Sequence, residues 1–162
     1  MPVASQIAHA AGAFRMNAEL FDRSLEGLAP EEWETCPGET SNSFAWIAGH
    51  IVWARSRALG FLGTTWSRPW LAQFARGAKT DETAVYPSPD EIVLAWQDVK
   101  TALNAALENA SDETVCAKCP PGPPSFDGTL GGLLSFFAIH ESYHVGQAAY
   151  LRRWLGHGQI AG

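Results

Sequence analysis

The sequence has 162 residues, 46% of them hydrophobic, and a formal net charge of −6. That is the length of one domain, residues 1–162, with apolar content enough for a core. Net acidity, with no more than two Lys or Arg in a row, excludes the phosphate neutralisation that nucleic-acid binding leans on, and no apolar run is long enough to span a bilayer.

The opening Met1-Pro-Val-Ala-Ser-Gln6 has no positive region followed by an apolar block, so no signal peptide is expected. Three cysteines, an odd number, do not suggest a disulfide framework, and a reducing cytoplasm is the default expectation. Residues 3–28 read as a first helix, with Val3, Ile7, Ala10, Phe14, Ala18, Phe21, Leu25 and Leu28 at helical spacing. Arg15, Glu19, Asp22 and Glu26 fall between them, on the side that faces water. Pro30-Glu-Glu-Trp33 reads as one helical turn opened by proline, and Cys36 to Asn42 as a loop.

Ser43 or Ser41 caps a second helix, from Phe44 to about Leu62. Its buried face takes Ile47, His50 or Ile51, Ala54, Ala58 and Phe61. Gly49 inside it costs on the order of 1 kcal/mol relative to alanine, which points to a close backbone approach. Residues 63–87 are too long for a plain connection. A short helix is expected between Pro69 and Gly77. Trp66, Trp70, Leu71 and Phe74 make this segment a cover for one end of the core or a lid over a pocket; the first reading is favoured.

Ser88-Pro-Asp-Glu91 is a capping box with proline at the first helical position, opening a third helix to about Asn109. Ile92, Ala95 or Trp96, Val99, Leu103 and Ala106 supply its core face. Ser111 to Gly128, rich in Pro and Gly, reads as a loop. A fourth helix runs from near Thr129 to near Leu155 and is stopped by Gly156 and Gly158. Four amphipathic helices without a strand make an all-α four-helix bundle.

The fourth helix carries the chemistry. Leu130, Leu133, Phe137, His140, His144, Gln147, Leu151 and Trp154 form one seam, so two histidines stand where core side chains belong. They are four residues apart, one turn above one another, within reach of one metal ion. His50 lies on the core side of another helix. Three neutral imidazoles plus a water are a familiar set for a catalytic divalent metal; three separately satisfied core histidines are the alternative.

His140-Glu-Ser-Tyr-His144 also spells the H-E-x-x-H of zinc peptidases, in which Glu141 would be the general base. The third ligand is missing for that reading. The extended motif wants glycine and histidine where Gln147 and Tyr150 stand, and no acidic residue follows Glu141. Glu141 is also turned about 100° from His140 on a helix. Cys116-Ala-Lys-Cys119 lacks two further metal ligands and a βαβ setting, so it reads as a plain loop pair. Arg152 and Arg153 suit either an anionic substrate group or the helix dipole.

Ser43-Phe-Ala-Trp-Ile-Ala-Gly-His50, followed at a distance by His140-Glu-Ser-Tyr-His-Val-Gly-Gln147, resembles the DinB/YfiT-like superfamily over nearly the whole chain. The resemblance implies an up-down-down-up bundle instead of the up-down-up-down order that short loops suggest. It implies a divalent metal, zinc or nickel, held by His50, His140 and His144. It also implies activities such as thiol S-transfer or isomerisation with low-molecular-weight thiols, and a homodimer, toward which exposed tryptophans also lean. Three functions follow: a metal-dependent thiol transferase, a non-catalytic metal-stabilised binding or stress protein, and, less favoured, a peptidase.

Overall fold

The computed structural model describes residues 3–78 and 85–161. It holds five α-helices: α1 (Ala8–Leu25), α2 (Phe44–Phe61), α3 (Pro89–Asn109), α4 (Asp112–Cys116) and α5 (Leu130–Trp154). Short 3-10 turns at Ser5–Ile7, Pro30–Glu32 and Leu71–Phe74 complete it. No helix among the described residues is long and apolar enough to cross a membrane.

Local chemistry sets the ends. Ser43 Oγ accepts from Trp46 N, and Ser88 Oγ from Glu91 N while the Glu91 carboxylate accepts from Ser88 N. Thr129 caps α5 through Gly132 N. These side chains satisfy amides that a first turn leaves unpaired. Three boundaries differ from expectation. The first helix stops at Leu25, because the chain turns away at Gly27 with φ +72°. The expected helix between Pro69 and Gly77 is only the 3-10 turn Leu71–Phe74; residues 79–84 of the long connection lie outside the described residues. The expected loop after Ser111 contains α4, which Ser111 caps and which seats Val115 in the core.

Side-chain pairings give the topology. Ile7 neighbours Gly131, Asn17 bonds Ala138 O, and Arg152 bonds Ser24 O, so α1 and α5 run parallel. Ring pairs put His50 beside His144 and Phe61 beside Phe137, so α2 and α5 run antiparallel. Ala45 and Ile92 line one cleft, and Arg55 stacks on Trp96, so α2 and α3 run parallel. The bundle is therefore up-down-down-up, with α4 an extra turn before the last helix. Phe21, Phe44, Trp33 and Trp96 fill one part of the core by edge and stacked contacts. Of the seven tryptophans only Trp154 is exposed, so the exposed tryptophans expected from the sequence reduce to one.

Candidate metal centre

Where α2 crosses α5, three imidazoles meet. His50 is 2% exposed and lies between Trp46, 4.7 Å away and nearly parallel, and Trp53 at 5.2 Å. His140 and His144 face it from consecutive turns of α5, with ring centroids 4.6 Å apart. The nearest ring nitrogens of all three lie within 4.8 Å of one another.

Outer hydrogen bonds set the tautomers. His50 Nδ1 lies 2.6 Å from Phe74 O, a group that only accepts, so Nδ1 carries the proton. His144 Nδ1 lies 2.7 Å from Gln147 Oε1, which likewise accepts. Gln147 is held in turn, its Nε2 donating to Tyr143 Oη at 3.2 Å. Both histidines thus present a bare Nε2 to the third. His140 Nε2 is 3.5 Å from that of His50 and 3.3 Å from that of His144. One N–H on His140 satisfies one of these lone pairs and leaves the other facing a nitrogen. His140 Nδ1 is itself buried without a partner among the described residues.

A single divalent cation among the three nitrogens would resolve this conflict. Four-coordinate zinc with nitrogens at 2.0–2.1 Å would place them about 3.3–3.4 Å apart, close to the two spacings from His140 Nε2. The electrostatics agree. Burial, offset in part by the Phe74 carbonyl and reinforced by the other histidines, lowers His50 to about 4. Burial, then the charges of His144 and Arg76, lowers His140 to about 4. Burial also lowers His144, against the pull of Gln147. All three rings are neutral near pH 7, the form that binds metal.

The strap around Phe74 covers this end of the core, as its aromatics suggest. A Cβ on Gly49 would fall inside 3.0 Å of the Phe74 ring, so glycine is what lets the strap reach His50. The close approach is by a ring, not by backbone. Phe74 O as a hydrogen-bond acceptor had no mark in the sequence, since every residue carries a carbonyl. Gly49 was its one indirect sign.

Other candidates are placed elsewhere. Glu141 is 1% exposed and its two oxygens accept from Arg55 Nε and Nη2 at 2.6 and 2.8 Å. It points into the bundle and is engaged, which removes the general base a peptidase needs. Arg55 itself passes unnoticed in the sequence, although a lone charge among Ile51, Ala54 and Ala58 was a signal. Cys116 and Cys119 are free thiols and do not join the histidine cluster. Arg152 donates to the carbonyls of Ser24, Glu26 and Gly158 and so fastens the segment after α5 to the end of α1. The seam residue Trp154 is exposed, because the buried face of α5 shifts toward Glu141, Val145 and Ala148.

A groove of about 610 Å³ adjoins the site, lined by Thr40, Ser41, Asn42, Tyr143, Gln147 and Tyr150 among others.

A comparison with curated proteins found no match. Among solved structures, the crystal structure of a conserved protein from Enterococcus faecalis superposes with a TM-score of 0.62 at 21% identity. The match covers 94% of this chain and 96% of that one, and at this identity it speaks for the fold alone. The family model of the DinB superfamily matches residues 13–148, a span that holds most of α1, all of α2, α3 and α4, and the three clustered histidines. The chain belongs to the DinB superfamily.

Proposed function

We propose that this protein binds one divalent metal ion, zinc or nickel, through His50, His140 and His144, and uses it to transfer a low-molecular-weight thiol to an electrophile. The observation that carries the reading is the convergence of three Nε2 atoms, of which at most one can carry a proton without breaking an outer hydrogen bond. Three neutral nitrogens supply no negative charge, which leaves the ion free to take an anion as a further ligand. A bound divalent ion lowers the pKa of a thiol from about 8.5 toward neutrality and so supplies nucleophile.

The chain's own residues hold and shield. Phe74 O and Gln147 Oε1 keep two imidazoles in the ligating tautomer. Trp46, Trp53 and Phe136 form an apolar wall against water. Gln147 and Tyr143 join the site to the groove beside it, where the remainder of a substrate has room. In the transfer, sulfur bonds to the electrophilic carbon, the leaving group departs with its electron pair, and the thiol proton passes to solvent.

The test is a cobalt-substituted sample mixed with a panel of thiols, sugar-linked ones included. A new sulfur-to-metal charge-transfer band is expected, absent in His140→Ala. A spectrum unmoved by millimolar amounts of every thiol overturns thiol transfer and leaves the metal assignment standing. That result favours a second reading, a non-catalytic metal-stabilised protein, which the tight enclosure of His50 between two tryptophans supports. The homodimer belongs to the same proposal. Ile139, Tyr143, Tyr150 and Trp154 are apolar side chains on the outside of α5 that a second copy would cover.

A further inference from the structure

Beside the histidines lies a charge pair that takes no part in ligation. Arg55 and Glu141 are 0% and 1% exposed and joined by two hydrogen bonds of 2.6 and 2.8 Å. Arg55 Nη2 also donates to Phe14 O at 2.8 Å, and the guanidinium lies 4.5 Å over the Trp96 ring. From α2, this one side chain touches α1, α3 and α5.

Stability alone gives little reason for it. Desolvating two charges offsets most of their attraction, and apolar replacements of similar volume are often neutral or better. Arg55 Nη1 is buried without a partner among the described residues, which adds to the cost. What a two-pronged Arg–carboxylate pair supplies, and greasy contacts do not, is direction.

Direction is what the histidines need. Glu141 directly follows His140 and stands three residues before His144 on α5. Arg55 stands five residues from His50 on α2, about 7.5 Å along the axis. A turn of α5 by about 10° at a radius of about 6 Å carries a ligand atom ~1 Å, while metal–ligand distances tolerate about 0.2 Å. Close packing holds the helices together, and two parallel hydrogen bonds to a planar group add the directional restraint on rotation and register.

We propose that Arg55 and Glu141 are positioning residues. Their pair sets the rotation and axial register of α5 against α2, and thereby the convergence of the three Nε2 atoms. The inference rests on the reading of the triad as a metal site. Neither residue touches the ion, and Glu141 acts as an anchor for the helix that bears two ligands, not as a base.

Three variants of the full chain test it: Glu141→Gln, Arg55→Lys, and the apolar double Arg55→Met with Glu141→Leu. Three quantities are read: thermal unfolding, zinc affinity by competition with a chromophoric chelator, and the imidazole NMR resonances of the metal-free protein. The double variant is expected to melt near the parent temperature yet bind zinc 10- to 100-fold more weakly, with displaced imidazole resonances. Glu141→Gln and Arg55→Lys are expected to weaken zinc binding and displace the imidazole resonances in the same sense, and to melt below the parent. A folded double variant with parental zinc affinity overturns the proposal. If the double variant does not fold, parental affinity in folded Arg55→Lys overturns it equally. If the parent itself takes up no zinc, the metal reading fails separately. The pair is then judged on the resonances alone, and their identity in Glu141→Gln and parent counts against it.

Discussion

The Phe74 ring occupies the space that a side chain at position 49 would need, and the carbonyl of the same residue accepts from His50. Strap and imidazole are thus coupled through one glycine. Gly49→Ala should displace the strap and cost about 1–3 kcal/mol, the usual range for overpacking. Urea denaturation measures it. Adding Phe74→Ala frees the space, so the double change should cost less than the sum of the singles. Strict additivity would show that the two positions do not press on each other.

Metal content checks the triad directly. Purified protein should carry one zinc or nickel per chain, and His50→Ala, His140→Ala and His144→Ala should each lose most of it, since two imidazoles make a poor site. Elemental analysis gives the ratio. Full occupancy in His50→Ala would remove the third ligand from the scheme.

The thiols give a control. Cys116 is exposed and Cys119 half-buried, both outside the histidine cluster. Cys116→Ser with Cys119→Ser should leave the metal-to-protein ratio unchanged. A lost equivalent would place an ion in the α4–α5 loop.

Acid should weaken the metal-free fold in a defined window. His50 and His140 have folded values of about 4 against 6.5 in the unfolded chain. Between those values the unfolded chain holds more protons than the folded one, so stability rises with pH there. The contribution is complete above about pH 6.5 and is lost as pH falls toward 4, by at most about 1.4 kcal/mol per pH unit for each ring. Denaturation at stepped pH reads the slope, and His50→Ala should flatten part of it. A level curve from pH 6.5 to 4.5 contradicts neutral buried histidines.

Much of this was legible in the sequence where chemistry is local. Ser43, Ser88 and Thr129 mark helix starts because capping uses a residue's own side chain and the next turn. His140 and His144 were visible as a pair because helical period fixes neighbours four apart. The direction of the helices was not written in any period. It came from the family motif, and the pairings of Asn17 with Ala138 and His50 with His144 bear it out. What escaped notice depends on partners far along the chain. Arg55 became meaningful only opposite Glu141, 86 residues on, and Phe74 O only against His50. Helix α4 was hidden by the prolines that follow it, although Ser111 capped it.

The order of synthesis adds a consequence. His50 and His140 are 90 residues apart, and α5, which carries two of the three clustered histidines, is made after α1 to α4. A chain still lacking α5 has one imidazole between two tryptophans and nothing to complete a site. Closing so long a loop is an unfavourable step that only the packing of α5 against α1 and α2 rewards. An ion held by the triad would therefore be captured after α5 has packed, not as the nucleus of folding. Binding only the finished bundle, it would add about RT ln(1 + [M]/Kd) to the free energy of unfolding, so equilibrium stability would follow the supply of metal.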